Sequence, residues 1–222
     1  KKIPITQSSL DHFVEWYRLK FLCIRHSKFM KSYDEKSLIE KNYIYFPLHK
    51  EPELAINFQA YGFHSQFETI KKLSVIIPFD YKLLIKEHRG TWGRRKTKFY
   101  TFLNNLPNVE FISPFDDQYK YIKNANLIIT DNGSTGWEGI LLKKRVICLF
   151  KNFYNSNKLC ITVNDYHELN SKIIRTLQSK ESEVADEKIL KFIIAEYRST
   201  FDEMEKKSDE KFYIALNKFK KI

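Results

Sequence analysis

Apolar runs recur along this chain at spacings that alternate between strand and helix. Tyr43 to Leu48 (Tyr-Ile-Tyr-Phe-Pro-Leu), Lys82 to Lys86 (Lys-Leu-Leu-Ile-Lys), Val109 to Ile112, Leu127 to Ile129 and Val146 to Phe150 are short and β-rich, as in buried parallel strands. Ile161-Thr162-Val163 predicts one more short strand. Between them lie helical patterns: roughly Phe63 to Leu73, Phe99 to Leu106, Asp116 to Lys123 and Trp137 to Leu142. Val75 to Phe79 is apolar but contains Pro78, which argues against a central strand. The first 36 residues read as largely helical, with Phe13, Trp16, Tyr17, Phe21 and Ile24 among basic residues, and 34–42 as a polar linker. Helices are expected from about Tyr166 to Ser179, Ala185 to Glu205 and Lys207 to Lys220.

This alternation predicts an α/β fold: a doubly wound parallel sheet with an N-terminal helix and a C-terminal helical tail. The expected division is a helical segment and linker over 1–40, a nucleotide-binding type of domain over 41–165, and helices over 166–222 that pack on it. One βαβ unit stands out: strand, then Asp131-Asn132-Gly133-Ser134-Thr135, then a short helix and a second strand. Its loop falls at the carboxyl end of a strand, where open α/β sheets bind ligands. Free N–H groups and the helix dipole favour an anion there.

Composition sharpens this picture only partly. The 222 residues are 43% hydrophobic and 15% aromatic, enough for a substantial core. The net charge of +11 draws anions, but basic residues are interleaved with acids, so no nucleic-acid partner is expected. The basic amphipathic N-terminal segment suits packing on a domain, or peripheral contact with a membrane surface. Cys23, Cys148 and Cys160 show no metal spacing and fit a reducing cytoplasm, and no metal is expected.

Four blocks carry a resemblance. Tyr43-Ile-Tyr-Phe-Pro-Leu-His-Lys-Glu-Pro-Glu53, Leu84-Ile-Lys-Glu-His88, Leu106-Pro-Asn-Val-Glu-Phe-Ile-Ser-Pro114 and Gly136-Trp-Glu-Gly-Ile-Leu-Leu142 come in one order. Together they resemble the capsule polysaccharide biosynthesis family, which includes bacterial Kdo transferases that use CMP-sugars. The match covers roughly residues 40 to 165. That family is similar in fold to GT-B glycosyltransferases, in which two Rossmann-like domains face each other across a cleft. The resemblance implies that this chain is the C-terminal, donor-binding half of a bacterial enzyme and that an N-terminal domain is missing; the expected location is the cytoplasm, with the basic N-terminal segment able to lie on the inner membrane surface. It implies a nucleotide-sugar donor, CMP-linked in some relatives, a glycan acceptor, and no further cofactor. The family usually has proline where Arg89 stands, Thr-Gly-Thr-Ala where this chain has residues 131–135, and Gly-Lys-Pro where it has Lys143-Lys144-Arg145.

Carried over residue by residue, the resemblance assigns Glu138 to the ribose hydroxyls. A carboxylate can accept two bonds at once. Gly133, Ser134, Thr135 and Gly136 would surround a phosphate, or form a plain capped turn. Lys86 and His88 stand at one strand end. His88 would act on the donor phosphate or assist leaving-group departure. Glu53, with Glu51 and His49 beside it, would order sugar hydroxyls or act as an acid/base group. Arg94 and Arg95 lie in a basic loop that suits a phosphate or acidic acceptor as well as plain solvent. Trp92 and Trp137 are expected to pack. A sugar-nucleotide epimerase of the same architecture and a non-catalytic nucleotide-sugar or glycan-binding module are the alternatives.

Overall fold

The computed structural model describes residues 7–50, 65–131, 133–151, 153–163, 165–179 and 186–200. Its centre is β2 (Tyr43–Pro47), in which every residue is buried. Strand alternation sends Ile44 and Phe46 into one apolar layer and Tyr43 and Tyr45 into the other. A strand buried on both faces needs a parallel neighbour on each side, and β2 has them: β3 (Lys82–Lys86) and β5 (Leu127–Thr130). The seven-stranded sheet is completed by β1 (Met30–Lys31), β4 (Val109–Ile112), β6 (Val146–Cys148) and β7 (Ile161–Thr162). All its pairings are parallel, in the order β1-β4-β3-β2-β5-β6-β7.

Helices cover both faces. Ile70 and Leu73 of α3 (Gln66–Ile76), Tyr100 and Leu103 of α4 (Thr97–Asn104), and Leu169 and Ile173 of α7 (Tyr166–Gln178) close the layer that contains Phe46. Leu38 of α2 (Glu35–Ile39), Tyr121 and Ile122 of α5 (Gln118–Asn124), Ile140 of α6 (Ser134–Leu141), and Ile189 and Phe192 of α8 (Asp186–Thr200) close the layer that contains Tyr45. The fold is therefore the expected α/β, Rossmann-like, doubly wound parallel sheet, with α1 (Gln7–Ser27) preceding it.

The polar linker expected over 34–42 is a correction. Asp34 caps α2 by accepting the Ser37 N–H at 2.9 Å, and Leu38 is fully buried. One of the charges there, Lys41, is paired in a part-buried site. Glu110 of β4 accepts from Lys41 at 2.7 Å and from the Tyr33 hydroxyl at 2.6 Å. Burial would raise the Glu110 pKa, but the bonds from Lys41, Tyr33 and Lys31 outweigh it and hold the carboxyl at about 2. Just before α2, Met30 pairs with Phe111, so the end of the presumed N-terminal helix is the edge strand of the sheet. The helix expected at Lys207–Lys220 lies outside the described residues.

Candidate functional site

Parallel strands end on a common rim. Between β2 and β5 the winding reverses, because β3 and β4 extend the sheet on one side and β6 and β7 on the other. A crevice opens at such a switch point, outside the carboxyl ends of the strands. Here it is a cavity of about 470 Å³ lined by residues that follow β2, β3, β4 and β5, among them His49, Lys86, His88, Asp117, Gln118 and Gly133 to Thr135. The structure thus brings His49, Lys86, His88, Gly133, Ser134 and Thr135 together, although they are widely separated in the chain.

The wall formed by α6 begins earlier than expected. The helix starts at Ser134 with Gly133 as its N-cap, so Ser134 and Thr135 belong to its first turn and no side chain caps it. The capped-turn reading of Ser134 or Thr135 is corrected accordingly. The Gly136 N–H closes a tight turn on the Gly133 carbonyl at 3.2 Å, whereas Ser134 and Thr135, whose N–H groups precede any intrahelical acceptor, line the cavity. Because the helix begins at Ser134, Glu138 sits in its second turn rather than one residue after a start at Trp137. Its carboxylate accepts Gln118 Nε2 at 2.7 Å and Ser134 Oγ at 3.1 Å. Both donors line the cavity, and a carboxylate accepting two bonds still offers further lone-pair sites.

Two glycines here sit in close packing. A Cβ on Gly133 would lie 2.4 Å from His49 Cε1, so the imidazole of His49 rests against the start of α6. A Cβ on Gly136 would lie 2.3 Å from Tyr154 Oη. That hydroxyl donates to the Gly133 carbonyl at 2.8 Å and fixes the N-terminus of α6 from below. Gly136 is therefore buried packing beneath the site rather than part of its lining. Trp137 stacks on Tyr154 and packs on Phe192, the packing role expected of it.

The wall after β3 splits by strand alternation. Lys86 is only 7% exposed. Its ammonium donates to the Ser113 carbonyl at 2.9 Å and the Asp116 carbonyl at 2.8 Å. Burial pushes its pKa down, to about 8, with the Asp116 charge offsetting part of the effect. Arg89 donates from Nε to Pro114 O at 2.9 Å and from Nη2 to Phe115 O at 3.2 Å. Lys86 and Arg89 therefore grip four successive carbonyls of the loop between β4 and α5. Arg89 thus has a structural use. His88 is exposed at the rim, and its Nδ1 accepts the Gly90 N–H at 3.1 Å. A neutral ring that accepts at Nδ1 carries its proton on Nε2, as a donor.

Glu87 points the other way and was not singled out in the sequence. It is 1% exposed. It accepts Tyr100 Oη at 2.5 Å, Thr91 Oγ1 at 2.9 Å and Arg95 Nε at 3.1 Å. Burial, then the Glu87 charge, pushes the Tyr100 hydroxyl far above the ordinary tyrosine range. The same arginine donates from Nη2 to the His49 carbonyl at 2.6 Å, and Gln66 holds the His49 N–H at 2.7 Å. Arg95 is thus a correction to the acceptor-loop reading. Its side chain is 8% exposed and binds the end of β2 to the end of β3. Arg94 is exposed, but it lines a separate depression with Lys96 and Lys98, not this cavity. The signal for Glu87 was available: alternation from Leu83 and Ile85 aims it at the α4 side, opposite Lys86. Gln118 and Tyr154 had no local signal. Glu51 and Glu53 lie outside the described residues.

No family model and no curated protein matches the chain. Solved structures do. The UDP-GlcNAc 2-epimerase of Methanocaldococcus jannaschii, in complex with UDP-GlcNAc and UDP, is similar at 17% identity and a TM-score of 0.51, over 81% of this chain and 51% of that one. The Thermosulfurimonas dismutans KpsC, a beta Kdo 2,7 transferase, is similar at 14% identity and a TM-score of 0.47, over 82% of this chain and 62% of that one. The E. coli ADP-heptose lps heptosyltransferase II is similar at 9% identity and a TM-score of 0.45, over 79% of this chain and 53% of that one. The chain therefore spans 51–62% of the length of these three structures. The likeness to the first of these is one of fold, and it is the Rossmann-like α/β fold read from the sequence.

Proposed function

We propose that this chain is the donor-binding half of a glycosyltransferase that moves a sugar from a nucleotide-sugar to a capsule or surface-polysaccharide acceptor. The observation that carries this reading is the convergence, on one switch-point cavity, of the first turn of α6 and the Nε2–H of His88, with the Glu138 carboxylate held behind it by two lining side chains, Gln118 and Ser134. Diphosphate or monophosphate oxygens of the donor sit at the first turn of α6, where N–H groups and the helix dipole favour negative charge. Glu138, held by Gln118 and Ser134, accepts the ribose hydroxyls with its remaining lone pairs. As the glycosidic bond breaks, charge grows on the departing phosphate. Preorganised donors, His88 and the α6 amides, stabilise it there without reorganising. Glu53, with Glu51, supplies the acid/base or sugar-ordering group that the resemblance assigns to that block. The acceptor enters from a partner domain.

The Glu138→Ala variant tests the ribose assignment. Hydrogen bonds to a charged group contribute about 1.5–3 kcal/mol, so its affinity for a bound nucleotide-sugar falls by roughly tenfold to a hundredfold in calorimetric titration. Unchanged affinity would remove ribose recognition from Glu138. An epimerase of the same architecture is the competing activity, and it needs no glycan. Donor incubated alone with the chain gives its epimer in that case and intact donor in ours.

Lys86 adds a pH signature. Its ammonium lines the cavity and loses its proton near pH 8. Affinity for a phosphate-bearing ligand therefore falls as pH rises through about 8, while below that the ammonium is charged and the profile is flat. The fall disappears in Lys86→Gln. A wild-type profile that stays level through this window would show that Lys86 serves only its two carbonyls.

A further inference from the structure

Helix α1 has two apolar faces, and its contacts with α4 and the basic loop use only one. Its inner face is set by the buried ring of His26, whose Nε2 lies 3.1 Å from Thr97 Oγ1, and by Cys23 and Leu19. A Cβ on Gly93 would lie 2.7 Å from Cys23 Sγ and 3.1 Å from the Leu19 carbonyl, so α1 is seated directly on the basic loop. On the opposite side, Phe13, Val14, Tyr17, Phe21 and Ile24 are 57%, 64%, 53%, 63% and 66% exposed. The 3.6-residue period gathers these five into an arc of about 100°. Lys20 flanks that arc on one edge, and Arg25 and Arg18 on the other. The acids of α1, Asp11 and Glu15, fall outside it. Trp16 lies beside Lys20, whose Nζ is 4.9 Å from its ring.

We infer that this outward face of α1 docks the chain onto an anionic lipid bilayer surface. An apolar stripe rich in Phe and Tyr and edged by cations on both sides is the composition of a helix lying in the headgroup plane, its apolar side reaching about 5–10 Å inward. Charge complementarity selects the lipid. Arg94 and Lys96 are exposed on the loop that seats α1 and Lys98 in the first turn of α4 next to it, so further cations stand near the helix. A protein partner would need the apolar arc but not basic residues on both of its edges. No helix among the described residues is long and apolar enough to cross a membrane, so α1 lies on the surface.

Co-sedimentation with vesicles tests this. The chain pellets with vesicles of equal phosphatidylcholine and phosphatidylglycerol, remains in solution with phosphatidylcholine alone, and is released by salt. Phe13→Asp with Phe21→Asp lowers partitioning at least about tenfold. Lys20→Gln and Arg25→Gln each lower it about fivefold, on anionic vesicles only. These positions are exposed, and unchanged circular dichroism confirms that the variants fold. Failure of the wild type to pellet with anionic vesicles would overturn the inference. So would pelleting that survives the aspartates, which would mean general charge attraction. A shift from dimer to monomer in the aspartate variant with no change in vesicle binding would assign the face to self-association instead.

Discussion

Replacing Glu87 by alanine costs about 3–5 kcal/mol of folding stability, the expected penalty for stripping one partner from a buried ion pair. The guanidinium of Arg95 is 8% exposed and the Glu87 side chain fully buried, so water cannot replace the lost carboxylate. The Tyr100 and Thr91 hydroxyls lose their acceptor in the same step. In a chain of this size the loss lowers the melting temperature by about 10 °C. Glu87→Gln costs less, because an amide oxygen still accepts from Tyr100 and Thr91 while the charge pairing with Arg95 is gone. Urea unfolding of both variants reads the difference. A loss under about 1 kcal/mol for Glu87→Ala would mean that the network is not the joint between the ends of β2 and β3.

The second large effect lies under the opposite wall. In Gly136→Ala the new methyl meets Tyr154 Oη at 2.3 Å, Tyr154 Cζ at 2.8 Å and Thr130 Cγ2 at 3.0 Å. Tyr154 is 1% exposed and has no space to retreat. Overpacking of this kind costs about 1–3 kcal/mol. Either Tyr154 gives up its bond to the Gly133 carbonyl, or α6 tilts and its first turn leaves the cavity. Stability and nucleotide-sugar affinity therefore fall together. Tyr154→Phe removes the nearest of the clashing atoms, so the double variant recovers part of the loss and a double-mutant cycle gives a coupling of about 0.5–3 kcal/mol. Strict additivity would contradict the packing described for these residues.

The sheet was legible because its strands are buried on both faces, which leaves unbroken apolar runs such as Leu83-Leu84-Ile85. What escaped was fixed by distant partners. Met30–Lys31 is too short to show a period, and its place depends on Phe111 and Ile112. The start of α6 was set too late because Gly-Ser-Thr has the composition of a loop, whereas here Gly133 is the cap and Ser134 already helical. Of the two side chains that hold the Glu138 carboxylate, Ser134 is four residues away on the same helix, but Gln118 is brought in by α5. Arg95 illustrates the limit of charge reasoning. In sequence it belongs to a basic run with Arg94 and Lys96, and only the fold shows that one of the three turns inward to a buried glutamate.

The central claim is that the cavity at the ends of β2 to β5 holds a nucleotide-sugar. A thermal-shift series with CMP-, UDP-, GDP- and CDP-linked compounds tests it most directly, since a ligand that binds the native state raises its apparent stability by about 2.7 kcal/mol at a hundred times its Kd. At least one nucleotide class is predicted to raise the melting temperature in a dose-dependent way, with the rise reduced in Glu138→Ala. No shift with any of them, or a shift that Glu138→Ala leaves intact, would contradict the account.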